Sequence, residues 1–266
     1  MTEPSASLPD REPASSPQGA SEPQQVRVQM PSLPTVLTYG LIGFTVLIYI
    51  LQMLSVAVWG YATPYQMDWL EFFGARINSA IQAGDYWRFI TPVFLHGSLA
   101  HIFFNMYALL SIGGLLERHL GYMRFIVLYF LSAFSGNVFS FLFSGDSSYS
   151  VGASTAVFGL IGAELVFFYQ NRELFGSYAR QAIGNVAFII AINFFIGLSP
   201  GIDNWGHVGG LLGGAMFAWF ASPRWALTGI APELKLADQR ESREIFTGAA
   251  LVALVFGGLA IWGLFF

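Results

Sequence analysis

The sequence contains no cysteine, which excludes disulfide bonds, a thiolate nucleophile and a thiolate metal site. Charged residues are scarce: they form 11% of the chain, against about 25% in a typical soluble domain. The basic residues form no cluster and the formal net charge is −4, so we expect no nucleic-acid partner. A His-Glu-x-x-His run is missing as well, which argues against a zinc protease. We expect no metal and no cofactor.

Apolar residues are abundant, at 55% of the chain, and gather into runs between the few charges. A membrane-spanning helix needs about 20 mostly apolar residues. Runs that approach this length are predicted as spans one to seven, at about 35–59, 99–116, 125–143, 154–169, 181–198, 204–220 and 245–266. The sequence therefore predicts an all-α, polytopic membrane protein embedded in a lipid bilayer.

Two hydrophilic stretches lie outside these spans. Residues 1–33 are rich in Pro, Ser, Gln and Glu and poor in aromatic and β-branched residues, a composition typical of disorder. Residues 222–244 separate the sixth and seventh runs. We expect a disordered tail over 1–33, a six-span core over 34–221, a linker over 222–244 and a seventh span over 245–266.

The distribution of Lys and Arg predicts the orientation in the membrane. With a cytoplasmic N-terminus, ten of the 12 basic residues fall in cytoplasmic segments, and only Arg76 and Arg88 fall outside. Basic residues prefer the cytoplasmic side of a membrane. We therefore predict an integral protein of the cell membrane with its tail and linker in the cytoplasm and its C-terminus outside.

In this topology, polar side chains of three spans lie at one depth. Spans two, four and six all start at the outer face, and their outer ends carry His101 and Asn105, Ser154, and His207 respectively. His101 and Asn105 are four residues apart and share one helix face. Polar groups at this depth normally face a protein interior or a water-filled cavity. A simpler alternative is that they only join helices by hydrogen bonds.

These residue types can perform nucleophilic catalysis. Small residues in spans four and six allow close approach of the two backbones, which would bring His207 to Ser154. The imidazole can then act as base and the hydroxyl as nucleophile, with Asn105, His101 and the Ser154 N–H as oxyanion donors. Phe158, one turn below Ser154, can pack against the imidazole. The simpler alternative for Ser154 itself is a helix N-cap.

Several motifs in the right order resemble one family. They are Trp87-Arg88 in the first loop, residues 96–105 entering span two, residues 114–117 at its end, Gly152-Ala153-Ser154 and Phe158-Gly159 in span four, and residues 204–210 in span six. Together they resemble the rhomboid proteases, a family of intramembrane serine proteases. The resemblance covers about residues 35–220.

The resemblance implies a six-helix rhomboid-like core with an appended seventh helix. It implies Ser154 as nucleophile, His207 as base, and His101 and Asn105 in the oxyanion hole. Gly152 and Phe158 would support the site, and the loop of Trp87 and Arg88 would lie in the outer leaflet. The expected substrates are single-span membrane proteins, cleaved near the outer leaflet. No oligomeric state is indicated.

One residue departs from the family pattern, and other functions stay open. Thr155 follows Ser154 where the family usually has glycine, so we expect extra bulk near the oxyanion site and a narrower substrate cleft. We expect Asp203, one turn before His207, to lie at the interface and not to orient the imidazole. An inactive rhomboid-like protein that binds membrane clients is the main alternative. A polytopic transporter is another, although no inverted repeat is visible.

Overall fold

The computed structural model describes residues 30–62, 66–145, 149–199, 201–230 and 233–266. The predicted disordered tail over 1–33 lies outside the described residues except for its last four. At the end of that stretch, the Leu33 N–H donates to the Arg118 carbonyl over 3.2 Å. The chain is therefore joined to the helical core just before its first helix.

Helices account for most of the described chain, and the coarse prediction of a helical, polytopic protein is confirmed. The helices are α1 (Val36–Trp59), α2 (Trp69–Gly74), α3 (Asn78–Gln82), α4 (Leu99–Ala108), α5 (Gly114–Leu120), α6 (Tyr122–Phe143), α7 (Ser154–Gln170), α8 (Arg172–Phe175), α9 (Ser177–Ile196), α10 (Asn204–Ala221) and α11 (Ser242–Phe265). Short 3₁₀ turns cover Tyr86–Phe89 and Thr91–Phe94, and a π-helical segment, Leu109–Gly113, joins α4 to α5.

Five helical segments among the described residues are long and apolar enough to cross a membrane. They are Val36–Trp59, Leu99–Leu120, Tyr122–Phe143, Ser177–Ile196 and Ser242–Phe265. The predicted spans four and six correspond to α7, which is apolar but has only 17 residues, and to α10, which has 18. In α7 12 of the 17 residues are buried, and in α10 nine of the 18, so protein covers much of both helices. The six-plus-one count stays a prediction.

Close packing of α7 on α10 forms the centre of the core. A side-chain carbon on Gly210 would overlap the Thr155 carbonyl oxygen, and one on Gly214 would overlap the backbone of Gly159. Gly162 of α7 likewise has the Leu211 carbonyl 2.5 Å from the place a Cβ would occupy. Larger residues at these positions would push the helices apart, because backbones approach this closely only where side chains are absent.

Glu117 of α5 completes the start of α1. The N-cap position of α1 makes no side-chain hydrogen bond. Instead, the Glu117 carboxylate accepts from the backbone N–H groups of Leu37 and Thr38, each over 2.7 Å, and from the Thr38 hydroxyl over 2.6 Å. Backbone N–H groups in a first turn lack an intrahelical partner and favour negative charge. The fully buried carboxylate therefore ties α1 to α5.

Two small antiparallel sheets join loops. In the first, β1 (Arg76–Ile77) pairs with β2 (Tyr149–Ser150), which links the first loop to the segment before α7. In the second, β3 (Trp225–Thr228) pairs with β4 (Lys235–Asp238) inside the stretch 222–244, predicted only as a linker. Asn171, just before α8, supports this hairpin by accepting from the Trp225 N–H over 2.9 Å.

Candidate active site

Ser154 is the first helical residue of α7 and is partly exposed. The N-cap position belongs to Ala153, which makes no side-chain capping hydrogen bond. The alternative that Ser154 serves as the helix N-cap is therefore wrong. Its hydroxyl lies beside first-turn N–H groups, which are the donors that an oxyanion needs.

Gly152 lies close to both the Ser154 hydroxyl and the His101 ring. Its φ of +126° is a conformation that residues with a side chain rarely adopt. A Cβ at this position would lie 2.7 Å from His101 Nε2 and 3.8 Å from Ser154 Oγ. The imidazole edge and the hydroxyl thus both border the space that a side chain on Gly152 would fill, and any side chain here would force His101 away. The family resemblance implied that Gly152 supports the site. Its positive φ and its closeness to His101 give a physical reason for glycine at this position.

His207 is buried one turn into α10, where its ring stacks on Phe158 of α7. The ring centroids are 4.1 Å apart and the planes differ by 9°. The contact expected between these two side chains is present. Phe158 is itself 4% exposed, so the core holds it in place. The close packing of α7 on α10 brings the His207 helix against the helix that starts at Ser154.

His101 and Asn105 share one face of α4, as their spacing predicts. The Ser98 hydroxyl caps this helix by accepting from the His101 N–H over 3.1 Å. The Asn105 side-chain amide donates to the His101 carbonyl over 3.0 Å. An asparagine amide carries two N–H donors, so the second stays available for another acceptor. Asn105 can therefore brace α4 and still donate to an oxyanion.

His96 is part of the site, although the sequence gave it no separate role. Its Nε2 accepts from the Ala153 N–H over 3.3 Å, and its ring lies 5.0 Å from that of His101. Burial, together with the nearby His101, lowers the pKa of His96 to about 3. The ring is therefore neutral near pH 7, as an accepting Nε2 requires. It braces both His101 and the residue before Ser154.

Gln52 of α1 holds His96 by its main chain. Its Oε1 accepts from the His96 N–H over 3.1 Å, and its Nε2 lies 3.4 Å from the His96 carbonyl oxygen and 2.8 Å from Asp68 Oδ2. All of Gln52 is buried. A lone buried glutamine carries no signal of a partner 44 positions away.

Trp87 and Arg88 brace the first loop. The buried Arg88 donates to the carbonyls of Ala75 and Phe72 over 2.8 and 2.9 Å. Trp87 donates to the Phe73 carbonyl over 3.0 Å and keeps about half of its surface exposed. Within the described part of the chain, their hydrogen bonds stay inside this loop. The geometry gives them a role in the scaffold and does not bring them to Ser154.

The expectation of extra bulk in the cleft at Thr155 is wrong, and Asp203 makes a contact that the sequence did not predict. Thr155 is buried, and its side chain points away from the cleft into a junction with α6 and α10: a Cβ on Gly136 would lie 2.6 Å from Thr155 Cβ. The reason is helical geometry, because successive residues point about 100° apart. Asp203 lies directly before α10, and its carboxylate caps this helix by accepting from the Gly206 N–H over 2.9 Å.

The fold and these contacts define a class: a polytopic helical membrane protein whose core helix starts with a serine and packs on a helix with a buried histidine. A model of the rhomboid domain matches residues 83–224, more than half of the chain, and the chain belongs to the rhomboid family. The resemblance drawn from the motifs is thereby confirmed at the level of the family.

Known relatives include both proteases and an inactive protein. The chain is 44% identical over 147 residues to rhomboid protease GluP of Bacillus subtilis (strain 168), covering 54% of this chain and 28% of the relative. It is 38% identical over 147 residues to rhomboid-like protease 1 of Toxoplasma gondii, covering 54% and 50%. It is 36% identical over 144 residues to inactive RHOMBOID-like protein 8 of Arabidopsis thaliana, covering 54% and 40%. The chain thus spans half or less of each of these three relatives.

Proposed function

We propose that this protein is an intramembrane serine endopeptidase that cleaves single-span membrane proteins near the outer leaflet. The observation that carries the proposal is the stacking of His207 on Phe158, one turn along the helix that starts at Ser154. This contact commits the imidazole to the helix that carries the hydroxyl.

In the proposed reaction, His207 takes the proton of Ser154 as Oγ attacks the carbonyl carbon of the scissile peptide bond. The negative charge on the carbonyl oxygen is stabilised by Asn105, His101 and the Ser154 N–H. The intermediate collapses as His207 returns its proton to the leaving amine, and an acyl-enzyme remains. Water, deprotonated by His207, then attacks the ester and releases a carboxylate and the free serine.

His101 can serve this reaction because of its position. Its Nε2 and the Ser154 hydroxyl both lie within 4 Å of the place that a Cβ on Gly152 would occupy. His96 keeps its own Nε2 for the Ala153 N–H, so the two imidazoles have different duties. His96 holds the segment before Ser154 in place, while His101 and Asn105 present donors.

An inactive, client-binding rhomboid is the second candidate, because an inactive protein is among the relatives. The protease is favoured because Ser154 and His207 are both present, and because His207 stacks on Phe158 of the helix that starts at Ser154. We also propose the orientation that the basic residues predict, with the N-terminus in the cytoplasm and the C-terminus outside the cell membrane.

Cleavage of a single-span reporter by the purified protein in liposomes tests the proposal. Ser154→Ala and His207→Ala should each abolish cleavage, and the double variant should be no worse, because the pair acts as a unit. Ser111→Ala is a matched control, since it removes an exposed hydroxyl that bonds only to its own helix, at the Tyr107 carbonyl. If Ser154→Ala cleaves as fast as the control, the protease proposal is wrong and the client-binding function is favoured.

A further inference from the structure

Asp203 fixes the first turn of α10 through both its side chain and its main chain. Its Oδ1 accepts from the Gly206 N–H over 2.9 Å, and its backbone carbonyl accepts from the His207 N–H over 3.1 Å. Aspartate is among the best N-capping residues. The backbone of His207 is therefore held directly by the residue that starts its helix.

The same carboxylate joins α10 to the end of α6. The hydroxyl of the buried Ser140 donates to Asp203 Oδ2, and that of Ser144 lies 3.3 Å from Oδ1. These contacts cross about 60 positions of sequence. They fix where along α6 the first turn of α10 begins.

A buried cation faces this carboxylate from the first loop. Arg76 is 1% exposed, and its guanidinium donates to the Asn78 side chain over 2.6 Å. Burial lowers the pKa of Arg76, and the negative charge of Asp203 acts in the opposite direction. Asn78 in turn donates to the carbonyl of Phe141 near the end of α6, over 3.0 Å. The first loop, α6 and α10 therefore meet around Asp203.

Asp203 also adjoins the helix that carries the proposed nucleophile. A Cβ on Gly206 would lie 2.8 Å from Asp203 Oδ2 and 3.1 Å from Thr155 Cγ2. Thr155 directly follows Ser154 in α7. The capping carboxylate, Gly206 and the Thr155 side chain are thus packed in a row, which sets the distance between the first turns of α10 and α7.

The imidazole of His207 needs such support. Its Nδ1 is buried and has no hydrogen-bond partner among the residues that the structure describes. Stacking on Phe158 fixes the plane of the ring, but its position follows the backbone of α10. We propose that Asp203 is a positioning residue for His207, acting through the helix start and not through contact with the ring; this inference rests on the proposed function.

The test measures how fast Ser154 reacts with a fluorophosphonate probe in the purified full chain in liposomes, and kcat and KM for a single-span reporter. Asp203→Ala loses the cap and the links to α6, so labelling and kcat should fall about 10- to 100-fold with KM little changed, as for a displaced reacting group. Asp203→Asn keeps an acceptor at the cap and should stay within a few-fold of wild type. Ser140→Ala should lie between them.

Asp238→Ala is the matched control, because this carboxylate also binds three partners, at the other end of α6. It accepts from the Arg124 side chain and from the backbone N–H groups of Arg224 and Arg240. The control should lower the thermal midpoint without slowing the labelling of Ser154. Equal losses of labelling in Asp203→Ala and Asp238→Ala would make the effect one of general stability and overturn the inference.

Other outcomes separate this inference from the proposed function. If Ser154→Ala is inactive and the probe labels Asp203→Ala at the wild-type rate, only the proposed role of Asp203 is rejected. If Ser154→Ala still cleaves, the proposed protease mechanism itself is lost. Should Asp203→Ala fail to fold, Ser140→Ala decides alone, and wild-type labelling in that variant would count against the inference.

Discussion

The Phe158 ring lies parallel to the His207 imidazole, with centroids 4.1 Å apart. A buried aromatic contact of this kind is worth about 0.5–1.5 kcal/mol beyond the area it buries. It limits the imidazole to one plane. In serine hydrolases with a catalytic triad, a carboxylate orients the imidazole instead. The proposed Ser154–His207 dyad would thus have an aromatic ring in place of its third member.

Replacing Phe158 with leucine should therefore lower kcat more than it raises KM. We expect a loss of about tenfold in kcat, because the imidazole gains freedom to leave the reactive geometry. Steady-state kinetics on a single-span reporter measure the effect. Phe256→Leu, a similar change at a buried ring on α11, is the control and should leave kcat unchanged. Equal kinetics for the two variants would remove the stacking contact from the mechanism.

Asn105→Ala should lower turnover by about 10²–10³ at most, the usual cost of one oxyanion donor. Ser154 should still react with a fluorophosphonate probe, since neither proposed dyad member changes. The measurement pairs probe labelling with a thermal unfolding curve. Loss of labelling together with unfolding would make Asn105 a purely structural brace of α4. Unchanged turnover in this variant would show that Asn105 has no role in catalysis.

Gln52→Leu should destabilise the protein by about 2–3 kcal/mol, because the main-chain groups of His96 and the Asp68 carboxylate would be buried without this partner. Turnover should fall as well, since His96 braces the residue before Ser154. Thr45→Val is the control on the same helix: Thr45 is buried, and its hydroxyl has no hydrogen-bond partner among the described residues. That change should be neutral or stabilising. Similar unfolding midpoints for both variants would contradict the role given to Gln52.

Glu71→Gln should stabilise the protein at pH 8 and have little effect at pH 4.5. Burial, and next the charge of Asp68, raise the pKa of Glu71 from 4.5 to about 7. The unfolded chain releases this proton near pH 4.5 and the folded chain near pH 7, so the wild type loses stability as pH rises through this window. Glutamine has no proton to lose.

We expect a gain of about 1–2 kcal/mol at pH 8, after allowance for solvent screening. Thermal unfolding of both proteins across pH 4.5–8 measures it. Glu173→Gln, at an exposed carboxylate of α8, is the control and should show no such pH dependence. A stabilisation that is constant over the whole range would mean that the proton on Glu71 is not its cause.

Reporter fusions test the proposed orientation. A reporter after Phe266 should lie outside the cell, and one inserted at the Gly229 turn of the hairpin should lie in the cytoplasm. The expected result follows from the ten cytoplasmic basic residues against two outside. A cytoplasmic C-terminus would mean that the number of spans is wrong, and most directly that α7 or α10 does not cross the membrane.

Sequence patterns predicted the long apolar helices and the close packing of α7 on α10, because both depend on residues close together in the chain. Long apolar runs indicate spans, and glycines such as Gly210 and Gly214 at helical spacing indicate a tight interface. The direction of Thr155 was also predictable in principle, since a residue next to Ser154 in a helix must point about 100° away from it.

The contacts that sequence reasoning missed join residues far apart in the chain. Gln52 finds His96 44 positions away, and Asp203 finds Ser140 63 positions away. Such pairs leave no periodic pattern in the sequence. Predicting one requires knowing how two helices are shifted along their axes relative to each other. The hairpin over 225–238 was missed because two strands of four residues are too short to show a clear alternation.

The capping of α1 by Glu117 has a consequence for synthesis in the cell. The ribosome delivers α1 first, yet its terminal N–H groups acquire their acceptor only when a residue 79 positions later emerges. Until then the first turn of α1 is free to fray or to bind water and lipid headgroups. A nascent chain that stops before Glu117 therefore lacks the acceptor for the first turn of α1.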